Sequence, residues 1–148
     1  MRPRALIFDD DLMIRQMLWT ACDRRGYEVF TFPDPAVCPL HVDEGCSCTS
    51  EGTCADIIIS DLDMPNVKGL DFVEKLLGKG CRCRHLALMS GAWSESDMAH
   101  AAELGCKLFA KPFHIGQITA WLEQVERELS PNRRLHEWQS LRSAGGGT

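Results

Sequence analysis

The chain has 148 residues, a formal net charge of -5 and a sequence pI of about 5.5. With 45% hydrophobic and 25% charged residues it has the composition of one soluble globular domain. The acidic balance argues against direct DNA binding or an anionic-membrane surface, and no apolar run approaches the ~18 residues of a membrane span.

Met1-Arg2-Pro3-Arg4 is basic, but only Ala5-Leu6-Ile7-Phe8 follows before the acids begin. That is too short for the apolar core of a signal peptide, so the expected compartment is the cytoplasm. Ala5 to Phe8 reads as a buried parallel strand, apolar on both faces and ending at Asp9-Asp10-Asp11. Leu12 to Cys22 has helical spacing through Ile14, Met17, Leu18 and Ala21, with Asp11 as its cap and Gly26 as its stop. Tyr27 to Phe32 alternates as a second strand. Pro33, Pro35 and Pro39 then leave any following helix short or broken, and residues 43–55 have a loop composition rich in Gly and Cys.

Ile57-Ile58-Ile59 is a third buried strand, ending at Ser60-Asp61. A helix is expected over Gly69 to Leu77, and a fourth strand over Leu86 to Met89, ending at Ser90-Gly91. Ser94 or Ser96 caps a helix to about Leu104, and Gly105 stops it. Lys107 to Ala110 is the fifth strand. Ile115 to Leu129 is the last long helix, ended by Pro131. This alternation predicts an α/β fold: a single doubly wound, five-stranded parallel sheet in the flavodoxin-like order 2-1-3-4-5, with an irregular Cys/Pro-rich segment between strands 2 and 3. The domain is expected over residues 4–129. Residues 130–148 form a tail in which Leu135, Trp138 and Leu141 suggest a short amphipathic helix before disorder, and those 19 residues cannot bury a further core.

Open α/β sheets bind ligands beyond the carboxyl ends of their strands. At those ends lie Asp9, Asp10, Asp61, Ser90 and Lys111. Three converging carboxylates repel unless a cation joins them, and Mg²⁺ (or Mn²⁺) commonly takes one or two carboxylates plus phosphate oxygens. Asp61 is then a candidate nucleophile for an acyl phosphate, with Lys111 and Ser90 placed to meet the transferring oxygens. A cis bond before Pro112 would aim Lys111 into the site.

Eight cysteines are unusual for this length. Cys46, Cys48 and Cys54 precede strand 3, and Cys81 and Cys83 precede strand 4, so all would lie at the amino edge with His41 and His85 nearby. Four thiolates would suit Zn²⁺ or an iron–sulfur cluster, yet Cys-x-Cys is tighter than the usual zinc spacing. Redox disulfides and free thiols are the competing readings. Cys22 and Cys106 fall on apolar faces and read as core, while His100 and His114 read as surface.

Leu6-Ile7-Phe8-Asp9-Asp10-Asp11 resembles the first strand and acidic pair of the response-regulator receiver family. Ile57 to Pro65 followed by Gly69-Leu70 resembles its phosphoacceptor segment, Leu88-Met89-Ser90-Gly91 its Thr/Ser strand, and Phe109-Ala110-Lys111-Pro112-Phe113 its lysine motif. The resemblance covers residues 4 to 129 and implies a phosphoacceptor at Asp61 in a bacterial two-component phosphorelay. It further implies Mg²⁺ bound by Asp10 directly, by Asp9 through water, by Asp61 and by the backbone carbonyl of Asp63, with Ser90 and Lys111 on the phosphoryl group. Gly91 occupies the small position governing access to Asp61. The implied donor is a histidine kinase or a histidine phosphotransfer domain, and the receiver catalyses only its own phosphorylation and dephosphorylation. Output would pass by protein–protein contact to an unidentified downstream protein, from a monomer or weak homodimer. One departure matters: the family's switch aromatic falls at Leu108, so readout must use other packing. The alternatives are a phosphatase of the haloacid-dehalogenase type, suggested by Asp61-Leu62-Asp63, and a receiver-like docking module that is never phosphorylated.

Overall fold

The computed structural model describes residues 2–33, 53–64, 68–78 and 80–135. The elements, in chain order, are β1 (Arg4–Phe8), α1 (Leu12–Arg24), β2 (Glu28–Phe32), β3 (Ile57–Asp61), α2 (Gly69–Gly78), β4 (His85–Ser90), α3 (Glu95–Glu103), β5 (Lys107–Ala110) and α4 (Ile115–Glu128). Any helix between β2 and β3 lies outside the described residues, as do Cys38, His41, Cys46 and Cys48.

The strands pair in parallel in the order β2-β1-β3-β4-β5, as the alternating pattern requires. Period-two alternation of side chains divides the core into two layers. Leu6, Phe8, Ile58, Leu86 and Leu88 face one way, onto Leu70, Phe72, Val73 and Leu76 of α2 and Ala101 of α3. Ala5, Ile7, Ile57, Ile59, Ala87, Met89 and Phe109 face the other, onto Leu18, Ala21 and Cys22 of α1 and Ile118, Trp121, Leu122 and Val125 of α4. The inner strands are apolar over residues 5–8, 57–59 and 86–89 because both of their faces are covered, whereas the edge strands β2 and β5 keep half-buried or exposed positions. Phe8 joins the layers of its side through ring contacts with Phe72 at 4.8 Å and Phe32 at 5.3 Å. Burying a side chain of that size contributes about 2–3 kcal/mol.

Local signals set the helix ends. The Asp11 carboxylate accepts from the backbone N–H of Met13 at 2.8 Å, starting α1. Of the two serines before α3, Ser94 is the cap, accepting from Asp97 N at 3.0 Å. Gln117 accepts from His114 N at 2.8 Å to start α4. Gly26 and Gly105 end α1 and α3 with φ of 85° and 77°, which residues with a Cβ rarely adopt. His100 is not isolated: it meets Glu74 of α2 at 3.0 Å.

The amino edge of the sheet carries a buried polar network. The Arg4 backbone N–H donates to Asp56 Oδ2 at 2.9 Å, while its guanidinium meets Glu28 at 2.8 Å and the Cys54 carbonyl at 3.0 Å. Arg133 grips the same Asp56 carboxylate with two nitrogens, at 2.6 and 3.0 Å. Beyond it, Thr53 N donates to Arg134 O at 2.9 Å, and Thr53 pairs in parallel with Leu135. Asn132 to Leu135, the start of the stretch expected to be helical, is therefore a turn and an extended strap instead. Trp138 and Leu141 lie outside the described residues. Among the described residues no helix is long and apolar enough to cross a membrane.

Candidate functional site

Parallel pairing in register carries the ends of β1, β3, β4 and β5 to one edge, and the predicted residues meet there. Asp9 is fully buried, Asp61 and Ser90 are nearly so, and Asp10 is exposed. Oxygens of Asp9, Asp10 and Asp61 all lie within 4.8 Å of one another. Lys111 Nζ sits between the buried pair, 2.9 Å from Asp9 Oδ2 and 3.3 Å from Asp61 Oδ1. The Lys111–Pro112 bond is cis, and Lys111 N donates to Ser90 O at 2.8 Å, which fixes the lysine backbone against β4.

Asp9 is held on every side. Its Oδ1 accepts from Asp11 N at 2.8 Å, and its carbonyl accepts from the Arg15 guanidinium at 2.7 Å. Arg15 was not expected in the site. The available signal is its position one helical turn after Asp11, on the face of α1 that meets the strand ends.

The electrostatics follow from burial of like charges around one cation. Desolvation, and next the Asp9 charge, push the Asp61 carboxyl above the ordinary carboxylate value, against the pull of Lys111. Burial alone would lower the Lys111 ammonium. Its hydrogen bond to Asp9, with the charges of Asp9 and Asp61, outweighs burial and raises it. Two buried carboxylates balanced by one ammonium, with a third carboxylate at the rim, leave a negative excess that a hard divalent cation fits. The all-oxygen donor set is the one Mg²⁺ takes.

Ser90 Oγ accepts from Ala92 N at 3.1 Å, and its proton can reach Asp63 Oδ2 at 3.4 Å or Ala92 O at 3.3 Å. Both are long contacts, so the hydroxyl is not tightly committed. The side chain of Asp63, for which only a backbone role was expected, thus enters the site through Ser90. Leu108 is half-buried and packs against the α2/α3 side of the core, as does Trp93 from the loop after β4.

Gly69 closes the site from below. Its N–H donates to Leu62 O at 2.8 Å, and a Cβ there would overlap the Asp61 carbonyl oxygen and crowd the Leu62 backbone. We expect Gly69→Ala to lose about 2–3 kcal/mol in urea unfolding, because the obstructing atoms are backbone.

Among the described residues the thiols form no metal-holding group. Among the described residues, the acidic trio alone has metal-holding geometry. Cys54 and Cys81 approach to 3.7 Å but are buried in the apolar core with Cys83, whose Sγ lies 3.9 Å from His85 O. Cys46 and Cys48 lie outside the described residues, and the expected Zn²⁺ or iron–sulfur site is not supported. Cys22 is core, with burial pushing its thiol up to about 12, and Cys106 is half-buried and pushed up to about 11 by the same cause.

Comparison with known proteins agrees with this geometry. The family model of the response regulator receiver domain matches residues 5–123. A probable transcriptional regulatory protein of Picosynechococcus sp. is 30% identical over 120 residues, covering 80% of this chain and 47% of the relative. The two-component response regulator PhoP of Pseudomonas aeruginosa is 26% identical over 128 residues, covering 86% and 53%. This chain thus spans about half the length of these two relatives. The chemotaxis response regulator CheY4 of Vibrio cholerae has the same fold, with a TM-score of 0.65 at 24% identity, covering 84% of this chain and 99% of that one. The five-stranded order, the acids at the ends of β1 and β3, and the match over residues 5–123 agree: the chain belongs to the response regulator receiver domain family of two-component signalling.

Proposed function

We propose that Asp61 is the phosphoacceptor of this receiver, which spans residues 4–129, and that it takes its phosphoryl group from a phosphohistidine of a histidine kinase or histidine phosphotransfer domain. The observation that carries the reading is the placement of Lys111 Nζ 3.3 Å from Asp61 Oδ1, beside an acid trio within 4.8 Å. Mg²⁺, when bound by Asp9, Asp10, Asp61 and the Asp63 carbonyl, supplies charge neutralisation at the transferring oxygens.

The chain's own residues do the rest. An Asp61 carboxylate oxygen attacks phosphorus, the bond to the donor nitrogen breaks, and the donor histidine departs with its electron pair. Lys111 can leave Asp61 for a phosphoryl oxygen while keeping Asp9. Ser90, held only by long contacts, can turn its proton from Asp63 or Ala92 to another phosphoryl oxygen. Gly91 keeps the approach to Asp61 open. With Leu108 in the aromatic's place, the turn of Ser90 is read through the Ala92–Trp93 loop packed on the core. The reaction is stoichiometric self-modification, so the chain turns over no separate substrate. Its setting is the cytoplasm, and its output is a changed contact with another protein.

The test is labelling with acetyl phosphate. About one phosphoryl group per chain, dependent on Mg²⁺, supports the reading; multiple turnover of p-nitrophenyl phosphate supports a phosphatase and contradicts it. Mg²⁺ itself should stabilise the fold. At about 100 times its Kd, a rise in Tm of roughly 5–10 °C is expected. Asp10→Ala should abolish that rise without lowering the metal-free Tm, because Asp10 is exposed.

A further inference from the structure

The amino edge holds a feature that phosphoryl transfer does not use. Cys54 Sγ and Cys81 Sγ lie 3.7 Å apart, one on the segment entering β3 and the other following α2 before β4. Their backbones are fixed independently. Cys54 O accepts from Arg4, and its neighbours Thr53 and Asp56 are bound to the strap by Arg134 O and Arg133. Cys81 N donates to Leu76 O at 3.0 Å, pinning it to the end of α2. Two thiols brought together by separately anchored backbones have a high effective concentration for each other. A covalent S–S bond of about 2.05 Å requires only a short further approach.

We propose that Cys54 and Cys81 are a modification site: a dithiol that closes to a reversible intramolecular disulfide when a hydroperoxide reaches it. Cys81, which retains 9% of its surface while Cys54 has none, is the sulfur attacked first. Its sulfur attacks the peroxide oxygen, the O–O bond breaks, and the thiol proton leaves with the alkoxide or hydroxide, giving Cys81–SOH. The Cys54 sulfur then displaces hydroxide, which departs as water with the Cys54 proton. Two thiols are oxidised by two electrons, and one peroxide is reduced. Cys83, two residues after Cys81, has its sulfur 3.9 Å from His85 O and is a competitor among the described residues that the mechanism must exclude.

The experiment uses the full chain. Native protein is treated with hydrogen peroxide at a few equivalents, quenched, denatured, alkylated and mapped without reduction. The expected result is a Cys54–Cys81 peptide, with two fewer alkylatable thiols than in the untreated protein. Dithiothreitol should restore both. The oxidised form should melt roughly 5–15 °C higher, since the link closes a loop of more than two dozen residues. Cys81→Ser should leave Cys54 reduced under the same treatment, and Cys83→Ser should still form the disulfide. Pairing of Cys54 with another cysteine, oxidation that stops at sulfinic acid, or no loss of alkylatable thiols would each overturn the proposal.

Discussion

Asp61→Asn is expected to remove phosphoryl uptake from acetyl phosphate by at least ~10³-fold, because an amide cannot supply the attacking oxygen. The same change should not weaken the fold. In the metal-free protein Asp61 carries a desolvated charge beside Asp9, and asparagine removes that repulsion while keeping shape and volume. Lys111 retains its 2.9 Å partner, Asp9. The urea midpoint without Mg²⁺ should therefore stay level or rise, and the Mg²⁺-induced rise in Tm should shrink. The two readouts together separate lost chemistry from lost structure. A variant that loses labelling because it unfolds would show a lower midpoint.

Lys111→Ala should slow phosphorylation by ~10²–10³-fold at saturating Mg²⁺, the usual cost of deleting one preorganised group from the transferring oxygens. It should also destabilise, unlike Asp61→Asn. Asp9 is fully buried and would lose its ammonium, leaving two neighbouring carboxylates without a protein cation. Breaking a buried pair from one side costs ~3–5 kcal/mol. The Lys111 side chain is 21% exposed, so solvent offsets part of this, and about 2–3 kcal/mol is the expected loss in metal-free urea unfolding. Mg²⁺ should recover much of the stability but not the rate, because a cation near the acids replaces the charge but not its placement on a phosphoryl oxygen. Lys111→Arg should rescue stability better than rate, since a guanidinium fork does not fit a site shaped for a point charge.

The sheet was legible in the sequence because its physics is local. Ile57-Ile58-Ile59 is apolar on consecutive residues, so only a strand covered on both faces suits it, and an acid closes it at Asp61. Asp11, Ser94 and Gly105 mark helix ends through one or two hydrogen bonds or one backbone angle. The acid trio was legible by a further step, from strand ends to a shared edge. What remained hidden depends on pairs remote in sequence and unsignalled by period. Arg133 carries nothing to mark it as the bidentate partner of Asp56, so residues 132–135 looked like the start of a helix. The Asp63 side chain reaches Ser90 only because the loop after β3 and the end of β4 come together. Of the cysteines, Cys54, Cys81 and Cys83 fall at the amino edge as expected, Cys46 and Cys48 lie outside the described residues, and of the competing readings of these thiols the Zn²⁺ or iron–sulfur one finds no support among the described residues.

Whether the phosphoryl group resides on Asp61 is read by site mapping. Protein treated with acetyl phosphate and Mg²⁺ is reduced with borohydride, which converts an aspartyl phosphate to homoserine, and the peptides are sequenced by mass spectrometry. Homoserine is expected at position 61, absent when Mg²⁺ is withheld. Homoserine at Asp9, Asp10 or Asp63 with position 61 unchanged, or a stable phosphate ester on Ser90, would contradict it.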